Sequence, residues 1–120
     1  MCVRNLTRDT VLCSRAMVAR TVRDRSRGLL GRHRLSPDEG MLFEAQRFIP
    51  FMWMHTLFMR FAIDIVFLGR SDSVIRIHAS LKPWRISAVA FGARKALELS
   101  EGAVTRTGTA VGDSLVIGNE

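Results

Sequence analysis

Along most of this chain the apolar positions fall in short runs bounded by Gly, Pro, Asn, Asp and Ser, the pattern of strands and turns. Cys2–Asn5 and Thr10–Ala19, separated by the polar turn Leu6–Asp9, predict an opening hairpin with Val11, Cys13 and Met17 as the apolar positions of its second strand. The period then changes. Thr21 followed by Asp24 resembles a capping box, and Val22, Ser26, Leu29 and Leu30 share one face at helical spacing, with Arg23 and Arg27 outward. Gly28 weakens this helix and Gly31 ends it. Ser36-Pro37-Asp38-Glu39-Gly40 is a dense turn signal, and Met41-Leu42-Phe43 after it predicts a short buried strand.

From Pro50 onward the alternation of a strand puts Phe51, Trp53 and His55 on one face and Met52, Met54 and Thr56 on the other. Ala62–Leu68 and Ser73–His78, joined by Gly69-Arg70-Ser71-Asp72, predict a second hairpin. Arg94–Leu99 and Ser114–Ile117 add two strands, with Gly112-Asp113 as the turn before the last. No internal repeat or linker interrupts the pattern. The expected architecture is therefore α+β: a mostly antiparallel β sheet curling toward a barrel, with one short helix from the N-terminal half packed on it.

At 120 residues and 48% hydrophobic, the chain can bury a proper core, and residues 1–120 are read as one domain. Cys2 and Cys13 are too few for a disulfide scaffold. Met1–Arg20 carries Arg4, Arg8, Asp9 and Arg15 and lacks the apolar run of an export signal, so a cytoplasmic protein with reduced thiols is expected. Phe48–Leu68 is long enough to suggest a membrane span, but it contains Pro50, His55, Arg60 and Asp64. An Arg or Asp at mid-membrane costs roughly 2.5–3.5 kcal/mol on insertion scales, which argues against spanning. The net charge of +7 comes from 18 basic and 11 acidic residues, and nearly all the basic ones are Arg, the better fork for phosphate and carboxylate.

Asp64 stands between Ile63 and Ile65, with Ala62 and Val66 on its own face. A carboxylate buried among them must find hydrogen-bond partners or lose its charge. It is either a site residue or a structural acceptor of loop amides or of Arg60 or Arg25. His55, beside Asp64 or Glu39, would have the chemistry of a general base; without such a neighbour it is a half-buried core residue. Cys13, in a predicted strand, reads as a small hydrophobe, and no Ser or Cys stands in a nucleophile elbow. Met52, Met54, His55 and Met59 offer the soft ligands that suit monovalent copper, although methionines at alternating strand positions ordinarily fill a core. No metal site and no cofactor are assigned. Arg23, Arg25, Arg27, Arg32 and Arg34, with His33, concentrate positive charge on the helix and its exit, and Trp84 between Lys82 and Arg85 offers a stacking face. Such a patch suits RNA, or else is a solvated helix face.

Several blocks occur together and in order: Arg25-Ser26-Arg27-Gly28-Leu29-Leu30-Gly31-Arg32, Asp38-Glu39-Gly40-Met41-Leu42-Phe43, Phe51-Met52-Trp53-Met54-His55-Thr56, Ile63-Asp64-Ile65-Val66-Phe67-Leu68, Leu97-Glu98-Leu99, Glu101-Gly102 and Gly112-Asp113. From about Val18 to Ile117 the chain resembles the uncharacterised family known as domain of unknown function one hundred and ninety-two. The resemblance implies a small, mostly β domain with a helix packed against it, and no established reaction. The chain departs from the family pattern at His55-Thr56, where Asn-Thr is usual, at Ala62-Ile63-Asp64, where Pro-Leu-Asp is usual, and in the connection Leu57–Arg60.

The leading functional expectation is a binding or accessory domain whose site gathers Arg25, Glu39, Trp53, His55 and Asp64 around a small polar ligand. One alternative is a small acid-base hydrolase or lyase using Asp64 and His55. Another is an RNA-associated protein using Arg23, Arg27, Arg32 and Arg34.

Overall fold

The computed structural model describes residues 1–19, 35–45, 51, 52, 54, 56, 59–86 and 90–118. The helix expected over Thr21–Gly31 lies outside these residues, as do Trp53 and His55. Among the described residues the strands run β1 Cys2–Asn5, β2 Thr10–Cys13, β3 Arg15–Ala19, β4 Glu39–Glu44, β5 Phe51–Met52, β6 Ile63–Leu68, β7 Val74–Leu81, β8 Ala90–Phe91, β9 Lys95–Ser100 and β10 Leu115–Gly118, with one short α-helix, α1, at Ala103–Thr107 and a 3-10 turn at Arg70–Asp72. They form a five-stranded sheet in the order β3-β4-β9-β6-β7, a three-stranded sheet β10-β1-β2 and a ribbon β5-β8. Among the described residues only the β3–β4 pair is parallel.

Among the described residues no sheet closes or curls into a barrel, which corrects the expectation from the strand pattern. The reason is local. The run Thr10–Ala19 does not continue as one strand but breaks at Ser14, where Ser14 N–H and Arg15 N–H both donate to the Asp38 carbonyl, at 3.1 and 2.8 Å. This turns β3 into the large sheet beside β4 and leaves β2 paired with β1. One apolar run thereby serves two sheets, which share a core and also meet at their borders, where Met1 and Ala16 exchange backbone bonds and Val74 bonds to Gly112 and Asp113.

The large sheet is buried on both faces, and the alternation along β6 shows how. Val66 and Leu68 point to a first face, where they pack with Leu42, Leu97 and Leu99 against Val3, Leu12 and Leu115 of the small sheet and Ala103 and Val104 of α1. Ile63, Ile65 and Phe67 point to a second face, with Met41, Phe43 and Ala96, beneath Met52, Met59, Ala90 and Ala93 from the connecting segments. A strand buried on both sides must be apolar almost throughout, which is why Ile63–Leu68 reads as a continuous apolar run. Fully burying one such Val, Leu, Ile or Phe side chain contributes about 1.5–3 kcal/mol.

β7 closes one side of the sheet less regularly. Its pairing with β6 shifts register between Ile63 and Ile65 and again between Phe67 and Leu68. Ser80 sits in the first of these irregularities with φ 55°. On the other side of β6, every residue from Ile63 to Leu68 pairs in unbroken register with β9.

Candidate functional site

Two carboxyl groups are built into the middle of the large sheet, one on β6 and one on β9, and the register assigns them to opposite faces. Asp64 shares the first face with Val66, and Glu98, set between Leu97 and Leu99 on that face, must point to the second. Their circumstances differ completely. Asp64 Oδ1 accepts the Ser80 N–H at 2.8 Å, and its Oδ2 accepts the Val104 N–H at 2.9 Å. The second bond caps α1, whose N-terminus follows Gly102 and has no side-chain cap of its own. The buried Asp64 carboxylate thus joins β7, β6 and α1.

Glu98 has no such partners. Only 4% of the residue is exposed, and Oε2 is buried with no hydrogen-bond partner. Burial pushes its carboxyl up to about 8, so the group carries its proton at neutral pH and presents an O–H donor. Across the sheet Glu98 lies between Met41 of β4 and Ile65 of β6, and the same row continues to His78 of β7. Ser100, buried, is two residues along β9 on the same face, level with Ile63. Glu39, two residues before Met41 and therefore on its face, begins β4 and takes the Ser36 N–H on Oε1 at 3.2 Å. His78 is half-buried and receives Arg76 Nε–H on Nε2 at 3.4 Å. Burial and the Arg76 charge lower its affinity for a proton, which keeps the imidazole neutral.

Among the residues singled out from the sequence, the structure brings Glu39, Met52, Met54 and Met59 to the side of the sheet that carries Glu98, the three methionines as part of the second core. It puts Asp64 on the other side. Trp53, His55, Arg23, Arg25, Arg27, Arg32 and Arg34 lie outside the described residues. Glu98 was visible only as part of the Leu97-Glu98-Leu99 block, although it obeys the rule that drew attention to Asp64: a carboxylate flanked by large aliphatic residues in a strand. Cys2 and Cys13 are both buried thiols, and burial pushes the Cys13 thiol up to about 11, so it packs as an apolar group. Among the described residues no three His, Cys, Asp or Glu side chains gather as metal ligands, and no helix is long and apolar enough to cross a membrane.

The fold and this face define a small, mostly antiparallel α+β domain with a neutral acid buried in its central sheet. The chain belongs to the family DUF192, described as an uncharacterised family, whose profile matches residues 3–117. It is similar in structure to a protein of unknown function from Novosphingobium aromaticivorans, with a TM-score of 0.82, 24% identity, and coverage of 97% of this chain and 82% of that one. It is also similar to a protein from Sinorhizobium meliloti described as a "putative transcription regulator", with a TM-score of 0.79, 25% identity, and coverage of 96% and 89%. No curated protein matches the chain.

Proposed function

We propose that this domain binds a small polar ligand at the second face of its large sheet, and that the protonated Glu98 carboxyl donates a hydrogen bond to it. The observation that carries this reading is the buried, unpartnered Oε2 of Glu98. Leaving a buried polar atom without a partner costs about 1–3 kcal/mol, a cost that Asp64 on the neighbouring strand avoids. A ligand that accepts from the acid removes the cost, and Ser100 and Glu39 on the same face supply further polar contacts. Asp64, with both oxygens given to backbone amides, has no part in this site. Binding through a neutral donor suits a carbonyl, phosphoryl or carboxylate oxygen on the ligand.

The test is a native mass spectrum of the protein gently purified from its own host, beside Glu98→Leu and Glu98→Gln prepared in the same way. A bound small molecule is expected on the parent and absent from Glu98→Leu, which removes the donor without leaving a polar group behind. A bare parent polypeptide, or a ligand retained on Glu98→Leu, would overturn the proposal.

A further inference from the structure

Whether the ligand oxygen that accepts from Glu98 carries a charge depends on what surrounds the acid. On the second face Met41 and Ile65 stand directly beside Glu98 on the neighbouring strands. In one direction along the sheet the next row is Phe43, Ala96 and Phe67, all apolar and buried. In the other direction Ser100 follows on β9, and the register that pairs Gly40 with Leu99 brings Glu39 beside it. Polar side chains of the strands therefore approach Glu98 from one end only, and the ionisable one is itself an acid.

Among the described residues no cation stands next to Glu98 on this face. Arg15, level with Glu39 but one strand further out, is exposed and already gives its Nε–H to Asp38 at 2.7 Å. Arg76 is exposed on the border strand β7, level with Phe67. Burial accounts for the raised Glu98 carboxyl, whereas a guanidinium beside it would have lowered it. An anion brought here would exchange its hydration for one O–H donor and no opposite charge, with Glu39 as a like-charged neighbour. A neutral carbonyl oxygen needs only the hydrogen bond that Glu98 has to give. The body of such a molecule would meet Met41, Ile65 and, from the covering segments, Met52 and Met59. Unbranched thioether side chains change rotamer to fit what is placed among them, which suits a small apolar body.

Resting on the reading that Glu98 donates to a ligand, we propose that this ligand is an uncharged carbonyl compound with an apolar body, and that carboxylates and phosphates are rejected. Its oxygen takes the Glu98 O–H, and its hydrocarbon part takes the place of side-chain contacts in the second core. Of the oxygen types a neutral donor can serve, the surroundings of Glu98 select the one without charge.

The experiment compares methyl isopropyl ketone, isobutyrate and inorganic phosphate by proton–nitrogen correlation spectra of the labelled protein at neutral pH. The first two share a branched body and a carbonyl carbon and differ in charge. The ketone is expected to shift the amides of Met41, Ile65 and Glu98, with isobutyrate and phosphate weaker by roughly tenfold or more. Glu98→Gln keeps a neutral donor of nearly the same shape and should keep the ketone shifts, whereas Glu98→Leu removes the donor and should lose them. Isobutyrate or phosphate binding as tightly as the ketone, and lost in Glu98→Leu, would overturn the neutral-ligand inference and leave Glu98 as the donor. Ketone shifts unchanged in Glu98→Leu would overturn both readings. No shift from any probe would overturn this inference alone, since the native mass spectrum tests the donor by itself.

Discussion

Glu98 and Asp64 sit on adjacent strands of one sheet, and a pH titration should reveal Glu98. The ordinary value for the Glu98 carboxyl is 4.5 and burial raises it to about 8, so between those limits the folded protein holds a proton that the unfolded chain has released. Stability must then fall as pH rises through that interval and level off above it, because the native state binds more protons than the unfolded one. Denaturant midpoints measured from pH 5 to pH 8.5 should decline for the parent, with a total change on the order of a few kcal/mol. Glu98→Gln should remove most of that decline; an unaltered slope would mean that another group titrates. At this scale the sequence revealed half of what mattered. Isoleucines around Asp64 marked a buried acid, whereas Glu98 stood out only within the Leu97-Glu98-Leu99 block, and which face each occupies depends on strand pairing between parts of the chain distant in sequence. Whether each finds a partner depends on where β7 and α1 happen to present an amide.

Among the elements, Thr56 shows how one side chain can organise two segments. Thr56→Val keeps the shape and removes the hydroxyl that serves Lys82 and Arg85. Stranding those backbone groups should cost about 1–3 kcal/mol, read as a lower thermal midpoint with faster amide exchange at Arg85. The apolar runs around β4, β6, β7, β9 and β10 predicted strands close to those observed, because each buries at least one face along its length. Three features escaped. The break at Ser14 depends on a carbonyl of Asp38, distant in sequence. The strand expected from Phe51 is described at Phe51–Met52, and Thr56 further on makes irregular bonds to the 82–86 turn. Helix α1 is five residues long with glycines at both ends, Gly102 at φ 95° and Gly108 at φ 70°, and it borrows its cap from Asp64 on another element. A short helix with a remote cap leaves no local signature.

Across the whole molecule, the two ends of the chain are held together by Asp113. Its Oδ2 accepts from Asn5 Nδ2 at 2.9 Å, Arg8 Nε at 3.0 Å and Ala110 N–H at 3.0 Å, while Asn5 Nδ2 also reaches Thr109 Oγ1. The Arg8 and Asn5 bonds hold the Asp113 carboxyl down to about 2. A folded value below the ordinary 3.8 means stability that is present above about pH 4 and lost as pH falls toward 2. Arg8→Ala should therefore lower the urea midpoint near neutrality and converge with the parent at the acid end. A constant gap at all pH values would assign the Arg8 effect to packing. The mostly-β class was legible from the sequence. The stacking of two sheets in place of a curled one was not, because period-two alternation says that a strand has an inner face without saying which sheet lies opposite.

An open sheet also has borders, and β3 and β7 are the outer strands of the five. A straight, regular border invites the same strand of another copy to continue the hydrogen-bond ladder, the first step toward fibrous aggregates. The two register shifts and the left-handed Ser80 deny β7 that regularity, since an incoming chain cannot match amides that fall out of step. The irregular pairing that complicates this side of the fold thus also guards it against strand-to-strand association between copies.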